Sequence, residues 1–156
     1  MDSLEEEVQN RGYINKMEGM IITKLVSKFS VMKVKKDCIG VIAPYRAQIE
    51  HLTTLLSSYE GVETNTVDKF QGRENKIIIL SFVRSGSLSN DADVHSELLE
   101  SINRLTVAVT RAQYKFIAVG CARTLSKIKV TSKLIKYVRD HDMMISLTRE
   151  ELQNIS

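Results

Sequence analysis

The run Lys76–Val83 (KIIILSFV) constrains this chain more than any other feature. Its apolar residues follow one another without the alternation of a half-exposed strand, so both faces of that strand must be covered. Strands of this kind sit inside parallel sheets with helices above and below.

The rest of the chain supplies those helices and further strands. Helical spacing of Ile21, Leu25, Val26 and Phe29 predicts a helix from about Asn15 to Val34. The β-branched run at 38–43 reads as a buried strand that Pro44 stops, and a helix then begins near Tyr45 with Ile49, Leu52, Leu55 and Leu56 on its apolar face. Gly61 marks that helix's exit, and 62–67 reads as a partly polar strand. Ser85–Ser96 has the composition of a surface loop. A helix over 97–112, broken near Asn103, a strand over 115–120 and a basic amphipathic helix over 124–139 follow. Thr148-Arg149-Glu150-Glu151 has capping-box spacing and predicts a short terminal helix.

Strands alternating with helices imply βαβ crossovers and a three-layer α/β domain with a mainly parallel sheet. Residues 1–12 read as an acidic lead-in, 13–140 as the domain and 141–156 as a tail. Ligands of such sheets lie beyond the carboxyl ends of the strands. Tyr45 and Arg46 follow the first strand, Asp68–Glu74 the second and Arg84 the third.

Charge and composition narrow the function less. The net charge is only +3, with Lys33, Lys35 and Lys36 in one basic cluster and Lys127, Lys129, Lys133, Lys136 and Arg139 in another; both read as solvated faces. No apolar run approaches the ~18 residues of a membrane-spanning helix, and the acidic start resembles neither a secretory nor a transit peptide. Cys38 and Cys121 lack the spacing of metal ligands and read as reduced cysteines of an intracellular protein. His51, His95 and His141 are isolated and receive no role.

Three constellations carry possible chemistry. In Thr66–Glu74 two acids and two bases surround Gly72 between two strands; a loop touching a polar ligand and an ordinary charged connection account for it equally. In Asn103–Ala112 a helix would place Arg104 and Arg111 on one face of an otherwise buried surface, suited to phosphate oxygens or to salt bridges with neighbouring acids. Pro44-Tyr45-Arg46-Ala47-Gln48 sets an aromatic, a cation and an amide at a strand-to-helix junction, fit for a base or phosphate.

Four segments in this order resemble the second RecA-like domain of superfamily 1 helicases of the Upf-one-like, 5′-to-3′ group. They are Tyr13-Ile14-Asn15-Lys16-Met17-Glu18-Gly19, Pro44–Gln48, Val67–Glu74 and Arg104–Ala112. The resemblance covers about Tyr13 to Tyr137. The wording of Asn65–Arg73 and Ser81–Ser85 looks like the replication helicase/nuclease branch, which trims Okazaki flaps and resects ends. Gly19, Asn103, Thr106 and Gln113 depart from the usual pattern, and none of these departures falls at Arg111, Glu74 or Gly72.

The resemblance implies a P-loop-NTPase-like fold and a role for each matched residue. Arg111 is the expected arginine finger. Tyr45, Gly72, Glu74 and Arg104 are the expected ATP contacts, with Glu74 on the ribose. Thr66, Lys69 and Arg46 are the expected contacts to single-stranded DNA, or to RNA. No Gly-x-x-x-x-Gly-Lys-Ser/Thr phosphate loop occurs in the sequence. Mg2+ is therefore expected on a separate first motor domain, with nuclease carboxylates and an iron–sulfur cluster only in a full-length enzyme. The chain alone is expected not to hydrolyse ATP, and to act in the nucleus or the mitochondrion. An RNA helicase of messenger-RNA decay and a non-catalytic nucleic-acid-binding module are the competing readings.

Overall fold

A computed structural model describes residues 5–9, 11–86, 101–148 and 150–151. The elements in order are β1 (Glu5–Val8), β2 (Gly12–Asn15), α1 (Lys16–Val31), β3 (Ile39–Ala43), α2 (Arg46–Leu55), β4 (Glu63–Thr66), β5 (Asn75–Ser81), α3 (Ile102–Thr110), β6 (Ala112–Val119), α4 (Ala122–Leu125) and α5 (Lys129–Asp140). Strands β4, β3, β5 and β6 form one sheet in that order, parallel at every pairing.

The nearly continuous apolar run explains the layering. Along β5 and just beyond it, Ile78, Leu80 and Phe82 enter one core cluster while Ile79 enters the other. The first cluster is closed by Leu105 and Ala108 of α3 and Ile135 of α5, the second by Ile22 and Val26 of α1 and Leu52 of α2. Each large aliphatic or aromatic side chain among them contributes about 1.5–3 kcal/mol on full burial, and β5 contributes to both faces. The α/β architecture with a parallel sheet between helical layers is the one expected.

Several local boundaries differ. Residues 5–8, inside the stretch read as an acidic lead-in, form β1 and pair antiparallel with β2, so a hairpin spans the expected boundary at residue 13. Helix α3 starts at Ile102, capped by Ser101 whose hydroxyl accepts from the Arg104 amide, and runs unbroken through Asn103. The earlier part of that expected helix and most of the loop at 85–96 lie outside the described residues. The basic helix divides into α4 and α5, because Thr131 turns its hydroxyl onto the Leu125 carbonyl at 2.6 Å, and Leu125 and Ile128 both reach the core. The capping box forms: the Glu151 amide donates to Thr148 Oγ1 and the Thr148 amide to Glu151 Oε2.

Candidate nucleotide and nucleic-acid site

Strands β4 and β5 flank β3 and run parallel to it. A chain leaving Thr66 at the carboxyl end of the sheet must therefore return to the amino end before Asn75. It does so without a helix: residues 67–74 lie across one face of the sheet in tight turns, with Phe70 N donating to Thr66 O, Gln71 N to Asp68 O and Arg73 N to Phe70 O. Val67 and Phe70 are buried in the core and anchor the loop, while Asp68, Lys69, Gln71, Gly72, Arg73 and Glu74 face outward. The packing and the polar work of this segment are thus divided residue by residue.

Helix α3 runs beside that loop in the same direction. Near its start Arg104 Nε lies 3.3 Å from Asp68 Oδ1. At its end Arg111 Nη1 lies 3.5 Å from the Arg73 carbonyl. Leu105 and Ala108 point into the core, which turns both arginines to the outer face, as the spacing predicts. Arg111 also donates from Nε to Val107 O and from Nη2 to Thr110 Oγ1. Arg73 is ion-paired with Glu63, and Gln113 Nε2 donates to Glu74 Oε2 at 3.4 Å. The Arg104–Asp68 pair is partly exposed, with side chains 35% and 62% accessible. Pairs of that kind are worth ~0–1 kcal/mol and yield readily to a ligand.

Gly72, Glu74 and Arg111 are gathered at the amino end of the sheet, where β5 and β6 begin. Gly72 has φ +82 and nothing within 4 Å of the place a Cβ would take, so its backbone is open to approach. The arrangement fits half of a nucleotide site, with a carboxylate for ribose hydroxyls and a guanidinium for phosphate oxygens. Arg46, exposed at the start of α2, and Thr66, half-buried at the end of β4, lie at the opposite, carboxyl end; Lys69 follows Thr66 in the first turns of the loop.

Tyr45 is not brought to the expected nucleotide contacts. It caps α2 directly after β3, at the carboxyl end, and its ring packs edge-on against Tyr13 at 5.4 Å between centroids. A Cβ at Gly12, which has φ +91, would overlap that ring. The separation arises because loop 67–74 carries Gly72 and Glu74 the full length of the sheet away from the end of β3. Arg84, also expected at a ligand-facing strand end, is turned inward. It pairs with Glu5 at 3.0 Å and lies 4.3 Å over the Tyr13 ring. Burial opposes its charge, but the Tyr45 hydroxyl, Glu5 and Tyr13 outweigh this and hold its pKa above the usual arginine value.

Asn15, Glu18, Gln48, Ser81 and Val83 form a buried polar assembly to which the sequence motifs assign no role. Glu18 is buried in α1 and accepts from Ser81 Oγ at 2.6 Å and from the Val83 amide at 2.9 Å. Asn15 donates to the Val83 carbonyl at 2.8 Å, and Gln48 bridges the Asn15 backbone and Ser81. Burial pushes the Glu18 carboxyl up to about 7, against the lowering effect of its bonds to Ser81 and Val83; the nearby Glu5 charge adds to the rise. Val83 is held at φ +70, a strained conformation for a β-branched residue, and both its backbone polar groups are satisfied by this cluster. The available sequence signal was Ser81 interrupting an apolar strand and Glu18 on the buried side of a helix.

Among the described residues no group of three His, Cys, Asp or Glu side chains is placed to hold a metal ion. At the amino end one exposed carboxylate, Glu74, stands near the Arg111 guanidinium, a pairing of groups suited to ribose hydroxyls and phosphate oxygens. No helix among the described residues is long and apolar enough to cross a membrane.

Residues 1–123 match the family described as "AAA domain". The chain is 39% identical over 152 residues to the DNA replication ATP-dependent helicase/nuclease DNA2 of Bos taurus, covering 96% of this chain and 14% of that protein. It is 38% identical over 151 residues to the protein of that name in Homo sapiens, with the same two coverages. It is 33% identical over 150 residues to Regulator of nonsense transcripts 1 of Dictyostelium discoideum, covering 90% of this chain and 11% of that protein. The chain thus spans about one-seventh of the length of the mammalian relatives. With a parallel α/β sheet, the four motif segments on one frame and a family match over most of its length, the chain belongs to the AAA-domain family as the second, RecA-like motor domain of an Upf-one-like superfamily 1 helicase.

Proposed function

We propose that the chain is the phosphate-sensing half of an ATP-driven 5′-to-3′ DNA helicase motor serving replication and repair, in flap processing and end resection. One observation carries this reading: loop 67–74 lies along α3, so Gly72, Glu74 and Arg111 meet at one end of the sheet while Thr66 and Arg46 stand at the other. One face then links a nucleotide half-site to a strand-gripping end. Arg111 is the arginine finger, which stabilises charge on the phosphoryl group as it transfers, and Glu74 binds the ribose, with Gly72 beside it; Arg104, paired with Asp68 about two helical turns from Arg111, stands apart from these contacts and holds the start of the loop. Thr66, Lys69 and Arg46 contact the backbone of single-stranded DNA. ATP's phosphate chain and Mg2+ are held by a separate first motor domain, and nuclease and iron–sulfur chemistry belong to other parts of such an enzyme. Tyr45 supports the frame through Tyr13 and Arg84 and has no place among the nucleotide contacts.

The test is Arg111→Ala in the complete helicase. ATP turnover should fall by about 10³-fold or more, with single-stranded DNA affinity changed less than about threefold. Unchanged turnover would remove the arginine-finger assignment. A second reading, action on RNA, draws on the likeness to a relative named for transcripts. Comparing ATPase stimulation by oligo-dT and oligo-rU separates the two.

A further inference from the structure

The basic helix near the C-terminus has an outer face that the proposed site does not use. On α5, Ile135 and Thr131 are buried, and Leu134 and Val138 are half-buried. This leaves Lys129, Lys133 and Lys136 exposed at the i, i+4, i+7 positions of one helical face. At 1.5 Å per residue they form a line about 10 Å long. Lys127 and Arg139 flank it, both exposed. Lys136 pairs with Asp140 at 2.6 Å on the surface. Among the described residues Lys127, Lys129, Lys133 and Arg139 have no carboxylate partner, so the face carries uncompensated positive charge although the whole chain is only +3.

Beside the lysine line stands Tyr137, 53% accessible, its ring stacked on His141 with centroids 4.1 Å apart and planes 28° from parallel. His141 Nδ1 is 2.8 Å from the Tyr137 carbonyl, which ties the second ring to the helix. An ordered aromatic platform next to a row of cations is the composition of a surface that holds phosphates and stacks a base. A merely solvated face has no use for an exposed ring pair, and an acidic peptide would engage the lysines but not the rings.

We propose that this face of α5 is a second binding track for single-stranded DNA, with Lys129, Lys133 and Lys136 on successive phosphates and Tyr137 under a base. The proposal rests on the reading that the motor acts on DNA, and it adds a site on a helix that the strand contacts proposed above do not use. Ile135 of α5 joins the same core cluster as Phe70 of the motif loop and Leu105 of α3, so the track lies on the sheet face that carries the proposed nucleotide half-site.

The experiment is fluorescence anisotropy of labelled oligo-dT with the 156-residue chain across a salt series. Lys129→Gln with Lys133→Gln and Lys136→Gln should weaken binding at least about tenfold at low salt and reduce the salt slope by about 2, since each single-strand phosphate contact contributes ~0.7. Tyr137→Ala should weaken binding severalfold with the slope unchanged, because stacking releases no counterions. All four positions are exposed, so circular dichroism should match the unaltered chain. A triple variant that binds as well as the unaltered chain, while Arg46→Ala with Lys69→Ala loses affinity, would overturn the track and leave the strand-end contacts standing. Displacement of DNA by poly-glutamate with no effect of Tyr137→Ala would overturn it in favour of an acidic protein partner. Loss from Arg46→Ala with Lys69→Ala alongside loss from the triple variant supports both sites together.

Discussion

Arg111 folds back along the helix it ends, its Nε donating to the Val107 carbonyl at 3.1 Å. The guanidinium is therefore parked on its own helix, and reaching a phosphate means leaving that carbonyl. The contact is a helix-end bond to a partly exposed group, worth about 0.5–1.5 kcal/mol. Arg111→Ala should lower the unfolding free energy by no more than about 1.5 kcal/mol in urea denaturation. A larger loss would mean that any fall in turnover reports unfolding as much as a missing charge.

Glu74 is exposed near Gly72, and among the described residues its side chain accepts a long bond from Gln113. Placed on a ribose, it binds ground state and transition state alike, so its removal should act on KM. In the complete helicase Glu74→Ala should raise KM for ATP by about tenfold, as expected for a hydrogen bond to a charged group, with kcat within about threefold. The discrimination between ATP and 2′-deoxy-ATP should shrink in the variant. Equal discrimination before and after substitution would take the ribose contact away from Glu74.

Phe70 lies within the polar motif loop, yet it is fully buried, in the cluster that holds Ile42, Ile78 and Leu105. Phe70→Ala should cost about 3–5 kcal/mol by equilibrium denaturation. Gln71→Ala, at the exposed neighbouring position, should stay within about 0.5 kcal/mol. Equal losses would mean that the loop is not anchored through its aromatic ring.

Glu18 predicts a pH dependence of definite sign. Its carboxyl rises from 4.5 when unfolded to about 7 when folded, chiefly through burial. The folded state then binds the proton more tightly, so the associated stability is fully present below pH 4.5 and is lost as pH rises to about 7. The full span is on the order of 3 kcal/mol. Glu18→Gln keeps a hydrogen-bonding group in place and removes the titration. Denaturation midpoints of the two proteins should diverge in slope between these limits and run parallel above them. Identical slopes would show that Glu18 does not ionise across this window.

Much of the frame was legible residue by residue. Lys76–Val83 announced a strand covered on both faces because its side chains alternate between two cores, and Pro44 marked the turn into α2. The arginine spacing in α3 held because a helix turns at a fixed 3.6 residues, whatever it packs against. The β1–β2 hairpin was less readable. Three successive glutamates resemble a solvated tail, and only the burial of Glu5 against Arg84 shows that one of them is structural.

The sequence alone determined the parallel α/β frame, the four motif segments and the outward face shared by Arg104 and Arg111, since each depends on local period and on contiguous residues. Only the tertiary structure decided which motif residues meet. Tyr45 and Glu74 both follow or precede strands, but the loop that crosses the sheet between β4 and β5 places them at opposite ends. Glu18, Gln48 and Ser81 stand far apart in the chain and touch in the folded protein. Their bonds come from strand order and helix docking, so a linear reading can see a polar residue at a buried position but not which partner satisfies it.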